Sequence, residues 1–138
     1  MSELVRTGLA IDRALLARFD LAIAKKHYKN RSEAVRDLIR EHLVSEEADS
    51  NKVIVGTLTI VYDHHRPNLT EKLVDAQHHM RSSVLAATHV HLDHHNCLEV
   101  IIMKGRSSSI RELADHIISL RGVKHGQLVI TTTGRDLK

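Results

Sequence analysis

At 138 residues and a net charge of +3, the chain has room for one ordinary domain or two small ones, and it permits a polyanionic partner without requiring one. No apolar run approaches the roughly 20 residues of a membrane span. The opening segment, with acidic Glu3, does not read as a secretory signal, and the lone Cys97 excludes an internal disulfide, so a reducing, cytoplasmic setting is expected.

Along the first fifty residues, Val5, Thr7, Leu9 and Ile11 alternate with Arg6, Gly8 and Ala10, the period of a half-buried strand. Asp12 stands where a helix N-cap belongs, ahead of Leu15, Leu16, Phe19, Ala22 and Ile23 on one helical face. After a turn over Lys25–Asn30, Asn30 is placed to cap a second helix, with Glu33 three residues on. Val35, Leu38, Ile39, His42 and Leu43 then follow at helical spacing. A strand-helix-helix unit this small buries too little apolar surface to stand alone, and one strand forms no sheet. Pairing two copies of the strand as an antiparallel ribbon in an intertwined dimer cures both defects.

A polar stretch, Ser45–Lys52, marks the domain boundary. Beyond it the pattern predicts strands over 53–62, 84–92, 97–103 and 127–132 and helices over 68–80 and 109–120. The second of these helices reads as opening on a Ser109-x-x-Glu112 capping box and stopping at Gly122. This βαββαβ order is the ferredoxin-like arrangement, with both helices on one sheet face. The expected fold is therefore α+β, with domains at 1–47 and 52–133 and a loose tail at 134–138.

Twelve histidines beside two Tyr, one Phe and no Trp favour metal chemistry over base stacking. The hairpin Thr88–Glu99 carries the densest group. His89 and His91 are two apart on a strand and leave the same face, and Cys97 falls opposite His91 across the loop. Val90, Leu92, Leu98, Val100 and Ile102 are then expected to face the helices. The three ligands, with Leu85, Ala87, Ile101 and Met103, are expected on the helix-free face, where a second copy of the domain would cover them. Gln77-His78-His79 offers a fourth ligand from the same or a neighbouring chain; His64, His65, His79, His94 and His95 compete for the role. Imidazole with thiolate suits Zn, Cu and Ni alike, tetrahedral for zinc and planar for Ni(II) or Cu(II). A lone strand histidine is ordinarily solvated and a lone cysteine ordinarily a small buried hydrophobe. It is their joint spacing that points to a metal. Cys97 with a histidine base also fits a nucleophile, yet no oxyanion-hole or substrate-pocket motif accompanies it, and an enzyme is not expected.

These features resemble the nickel-responsive ribbon-helix-helix repressors. The likeness runs through Asn30–Asp37, Thr57–Tyr62, Gln77–His79, His89–Glu99 and Arg121–Gly126, and so covers nearly the whole chain. It implies a homotetramer in which two DNA-binding dimers flank a core of ferredoxin-like, ACT-type domains. It also implies one square-planar Ni(II) per subunit, held by His89, His91 and Cys97 of one chain and His78 of another. A second cation site, potassium in the family, would use Glu33 and Asp37 with carbonyls near Ile118, Leu120 and Val123. The ribbon face that meets the major groove reads Arg6, Gly8 and Ala10. Arg6 suits guanine, while Gly8 and Ala10 offer apolar contact or close approach. Asn30, Arg31 and Ser32 at a helix N-terminus, and Arg66 in the loop before Pro67, are the expected phosphate contacts. The implied function is repression of nickel-uptake genes at a palindromic operator. A zinc- or copper-responsive regulator, a metal chaperone and a metal-free antitoxin-like DNA-binding protein are the alternatives.

Overall fold

The computed structural model describes residues 3–80 and 83–138. It divides into two compact units, Met1–Leu43 with Asp136–Lys138, and Val44–Arg135.

In the first unit, α1 spans Arg13–Lys25, and Asp12 caps it as expected, its Oδ1 accepting the Leu15 N–H at 3.0 Å. Helix α2 starts in this unit and spans Arg31–Asp49, its residues from Val44 on belonging to the second, and Asn30 Oδ1 accepts the Glu33 N–H at 2.9 Å. The helix thus runs through most of the polar stretch read as a boundary. Residues 3–12 form no ladder within the single chain, as expected of a strand whose partner is its own copy in a second chain. A strand exists only through the ladder it makes with another, and Leu4, Val5 and Leu9 are 83%, 81% and 70% exposed. Among the described residues of this unit only Ala34 is buried. Arg40 donates from Nε and Nη2 to the Lys138 main-chain oxygen, at 3.1 and 2.9 Å.

The second unit holds a four-stranded antiparallel sheet in the order β2-β3-β1-β4, made of β1 (Val53–Asp63), β2 (Val84–His91), β3 (Asn96–Arg106) and β4 (Val123–Thr131). Helices α3 (Leu69–His79) and α4 (Ser107–Ile118) complete the βαββαβ order. Ile54, Leu58 and Ile60 of β1 point inward with Ile101 and Met103 of β3, against Leu69 and Leu73 of α3 and Ile110 and Ile117 of α4. Helix α4 opens two residues before the predicted capping box. The Ser107 hydroxyl donates to the Ala48 carbonyl, and Asn51 Oδ1 accepts the Ser108 N–H at 2.8 Å. A side chain distant in sequence caps it, so the local motif was not needed. Gly122, at φ +105°, lies in the turn after α4, where a Cβ would come within 2.7 Å of the Arg66 stem.

Candidate metal centre

Strands β2 and β3 meet in a register that sets His91 opposite Cys97 and His89 opposite Glu99. The connecting loop is fixed from within. The Leu92 N–H donates to the Asn96 carbonyl at 2.8 Å, and Asp93 Oδ1 accepts the N–H groups of His95 and Asn96 at 2.8 and 2.9 Å. Those bonds, with the Asn96 side-chain amide foremost, hold the Asp93 carboxyl down at about 2.

Cys97 is 1% exposed, and its Sγ lies 3.2 Å from His91 Nδ1. Burial pushes the thiol up, with the carboxylates of Asp93, Glu99 and Asp63 adding to it. Tyr62, opposite Cys97 on β1, is pushed up to about 12, mainly by burial, with Glu99 and Cys97 contributing. The sulfur therefore sits in an apolar, acid-flanked setting where an ionised thiolate needs a cation beside it.

The three ligands read from the hairpin do share one face, but it is the helix-covered one. Cys97, Ile101 and Met103 belong to the core, whereas Leu98, Val100 and Ile102 are only half-buried on the bare face. Alternation gave the period correctly and the phase wrongly, because β3 is apolar on both faces and its own pattern carries no phase. Strand β2 is the sheet's edge, where helix cover ends, and His89 and His91 are exposed there. The result is a buried sulfur beneath accessible imidazoles.

Among the described residues, the three side chains whose ligand atoms all lie within 4.8 Å of one another are His64, His91 and Cys97. His89 stands next to this group, its ring 5.4 Å from that of His91. His78 is exposed on the last turn of α3 and is not in the group. That turn is linked to β3 through Gln77 Nε2, which donates to Glu99 Oε1 at 3.4 Å. Sequence reasoning ranked His64 as a competitor only. Its signal was the register of β1: Tyr62 pairs with Cys97 and Asp63 with Asn96, so the next residue arrives at the mouth of the hairpin. One soft thiol with imidazoles fits a borderline transition ion and does not fit Mg or Ca, which take oxygen.

The remaining expected site residues are scattered. Arg6, Gly8 and Ala10 are exposed on the N-terminal segment before α1, and nothing lies within 4 Å of a Cβ built on Gly8. Asn30 and Ser32 are exposed at the start of α2. Arg31 is engaged by Asp20, donating from Nε at 2.8 Å and Nη2 at 2.7 Å. Arg66 lies against Gly122 in the second unit. Glu33 and Asp37 are on α2; Asp37 accepts from Tyr28 Oη at 2.6 Å and from Arg40 Nη1 at 3.1 Å. Ile118, Leu120 and Val123 are in the second unit, where the Leu120 carbonyl accepts the Val123 N–H at 3.1 Å. Among the described residues no helix is long and apolar enough to cross a membrane.

Comparison with known proteins matches both units. Residues 5–46 fit the ribbon-helix-helix proteins of the copG family, and residues 55–131 fit the NikR C-terminal nickel-binding domain. A relative from Solibacter usitatus, named for a nickel-responsive regulator, is 54% identical over 100% of both chains. Another so named, from Geobacter sulfurreducens, is 49% identical over 99% of both. An uncharacterized protein from Thermotoga maritima shares the fold at a TM-score of 0.52 and 16% identity, covering 57% of this chain and 98% of its own. On two matched domains and relatives of near-half identity along the full length, the chain belongs to the family of nickel-responsive transcription regulators, which is not an enzyme family.

Proposed function

We propose that the protein is a cytoplasmic repressor that binds a palindromic operator when Ni(II) fills its hairpin site, and so limits nickel uptake. The observation that carries this reading is the buried Cys97 sulfur 3.2 Å from His91 on the open edge of the sheet. The ligands in this proposal are His89, His91 and Cys97 of one chain and His78 of another, one Ni(II) per subunit in a homotetramer. An edge strand with exposed imidazoles leaves room for a ligand from a second chain. The bound ion supplies a charge that holds Cys97 as thiolate and fixes the rings around it. Arg6, Gly8 and Ala10 would read the groove while Asn30, Arg31, Ser32 and Arg66 would hold phosphates. Arg31 would have to leave Asp20 to do so. A potassium ion at Glu33 and Asp37 completes the reading.

A second ligand set, His64 with His91 and Cys97 inside one chain, is favoured by their closeness. Gel-shift titrations with metal-free, Ni, Cu and Zn protein test the function. Binding that tightens selectively with Ni is the expected outcome, and equal binding without metal overturns it. Nickel titration of His78→Ala and His64→Ala separates the ligand sets: loss of tight binding in the first alone supports the shared site, and in the second alone the single-chain site.

A further inference from the structure

Strand β4 carries one residue too many for its partner. His125 pairs with Val61 and Val123 with Tyr62, so Lys124 between them has no counterpart on β1. Such a bulge leaves the extra residue outside the ladder and re-aims its side chain. The Lys124 ammonium is turned toward the start of β3, where Nζ donates to Asn96 Oδ1 at 2.7 Å. In the sheet β1 separates β4 from β3, so the lysine reaches past a whole strand to touch the hairpin. An exposed cation ordinarily contributes little. What sets Lys124 apart is a ladder position given up to aim it.

Asn96 is held at both ends of its amide. Its Oδ1 takes the ammonium, and its Nδ2 donates to Asp93 Oδ2 and Oδ1 at 2.9 and 3.1 Å. An ammonium only donates and a carboxylate only accepts, so a flipped amide would face like against like on both sides. The two neighbours therefore admit one orientation of the side chain. Asp93 passes the restraint to the backbone, its Oδ1 accepting the His95 and Asn96 N–H groups, while the Asn96 carbonyl accepts the Leu92 N–H. Leu92 follows His91, and Asn96 precedes Cys97. The residues beside two ligands are thus tied to each other and, through Lys124, to a third strand. The end of β1 grips the loop as well, the His64 N–H donating to the His95 carbonyl at 3.1 Å. Lys124 adds a link from beyond it.

We propose that Lys124 is a positioning residue for the metal hairpin, clamping Asn96 so that His91 and Cys97 keep the spacing and direction that favour Ni(II) over Zn(II). The proposal rests on the function proposed above. Residues that orient ligands without touching the ion commonly account for roughly 10–100-fold of its affinity. Ions differ in how much such fixing matters. A planar array for Ni(II) demands ligand directions set in advance, whereas Zn(II) has no geometric preference from its d-electrons and tolerates a hairpin that adjusts. Loosening the loop therefore weakens nickel more than zinc.

Chelator-competition titrations of the full-length protein with Ni(II) and with Zn(II) test this in K124M and K124R. K124M removes the donor and the charge while keeping an unbranched side chain. Its nickel affinity should fall about tenfold, with zinc changed far less. K124R keeps a charged donor and should retain the unaltered preference. Equal losses of both ions in K124M, or no loss of either, overturn the proposal, as does a K124R that behaves like K124M. Amide hydrogen exchange in the metal-free proteins gives a second readout that needs no ion. The His95 and Asn96 N–H groups should exchange faster in K124M than in the unaltered chain, and unchanged exchange overturns the clamp. If no thiolate-to-nickel absorption forms in the unaltered chain, the Cys97 ligand set fails and the nickel preference with it, while exchange still decides whether Lys124 holds the loop.

Discussion

The two units solve the same problem in opposite ways. The second buries Ile54, Leu58, Ile60, Ile101, Met103, Ile110 and Ile117 almost completely within one chain. The first leaves Leu4, Val5, Leu9, Leu15, Leu21, Leu38 and Ile39 more than half exposed. Both have the apolar periodicity of folded elements, but only one has enough elements to close a core. A strand and two helices supply one apolar side with nothing to lay it against. The contrast teaches that a complete hydrophobic pattern specifies burial without specifying whose surface does the burying.

The sharpest test of that contrast is Leu58→Ala. It opens a cavity in a core made by one chain and should cost about 2–5 kcal/mol in urea unfolding, at a midpoint independent of protein concentration. Gly122→Ala places a side chain at φ +105° against Arg66 and should cost roughly 1–3 kcal/mol in the same assay. The first unit should behave differently. The helical signal of residues 1–50 should melt at a midpoint that falls on dilution, by about 1.4 kcal/mol for each tenfold step. A midpoint that ignores concentration would break the comparison.

The smallest expected effect concerns pH. The hydrogen bond from Arg31, aided by its charge, holds the Asp20 carboxyl below its ordinary 3.8. A carboxyl lowered on folding contributes stability above its unfolded value and loses that contribution as pH falls through the folded one. Acid titration of the helical signal should therefore show a loss below about pH 4 that Asp20→Asn lacks. Identical titrations of the two proteins would show that the pair does not support α1 against α2. Operator DNA that recruits Arg31 should compete with the same pair, so Asp20→Asn should bind phosphate-dependent sites at least as tightly as the unaltered chain.

Much of this was legible before any coordinates. Asp12 and Asn30 announce two helix starts because a cap is a local bond between residues three apart. The βαββαβ order follows from period and punctuation, and the union of His89, His91 and Cys97 on one face follows from strand alternation across a short loop. What failed was of another kind. Ser109 and Glu112 make a plausible capping box, yet Asn51, more than fifty residues earlier, takes the role at Ser108. Residues 5–11 are a different case: their alternation asks for a ladder that one chain cannot supply, which is what the sequence reading expected.

Sequence by itself determined the elements, the dimer-seeking character of the first unit and the chemistry of the hairpin, because each of these depends on neighbours within a few residues. Tertiary structure alone decided which side of the sheet the sulfur occupies and which histidine arrives beside it. Strand β3 is apolar on both faces, so only the packing of α3 and α4 fixed Cys97 as buried. The antiparallel pairing of β1 with β3 brought His64 across thirty-odd residues to the hairpin mouth. Alternation along one strand records that two faces differ; it takes a third element, seated on one of them, to say which is inside.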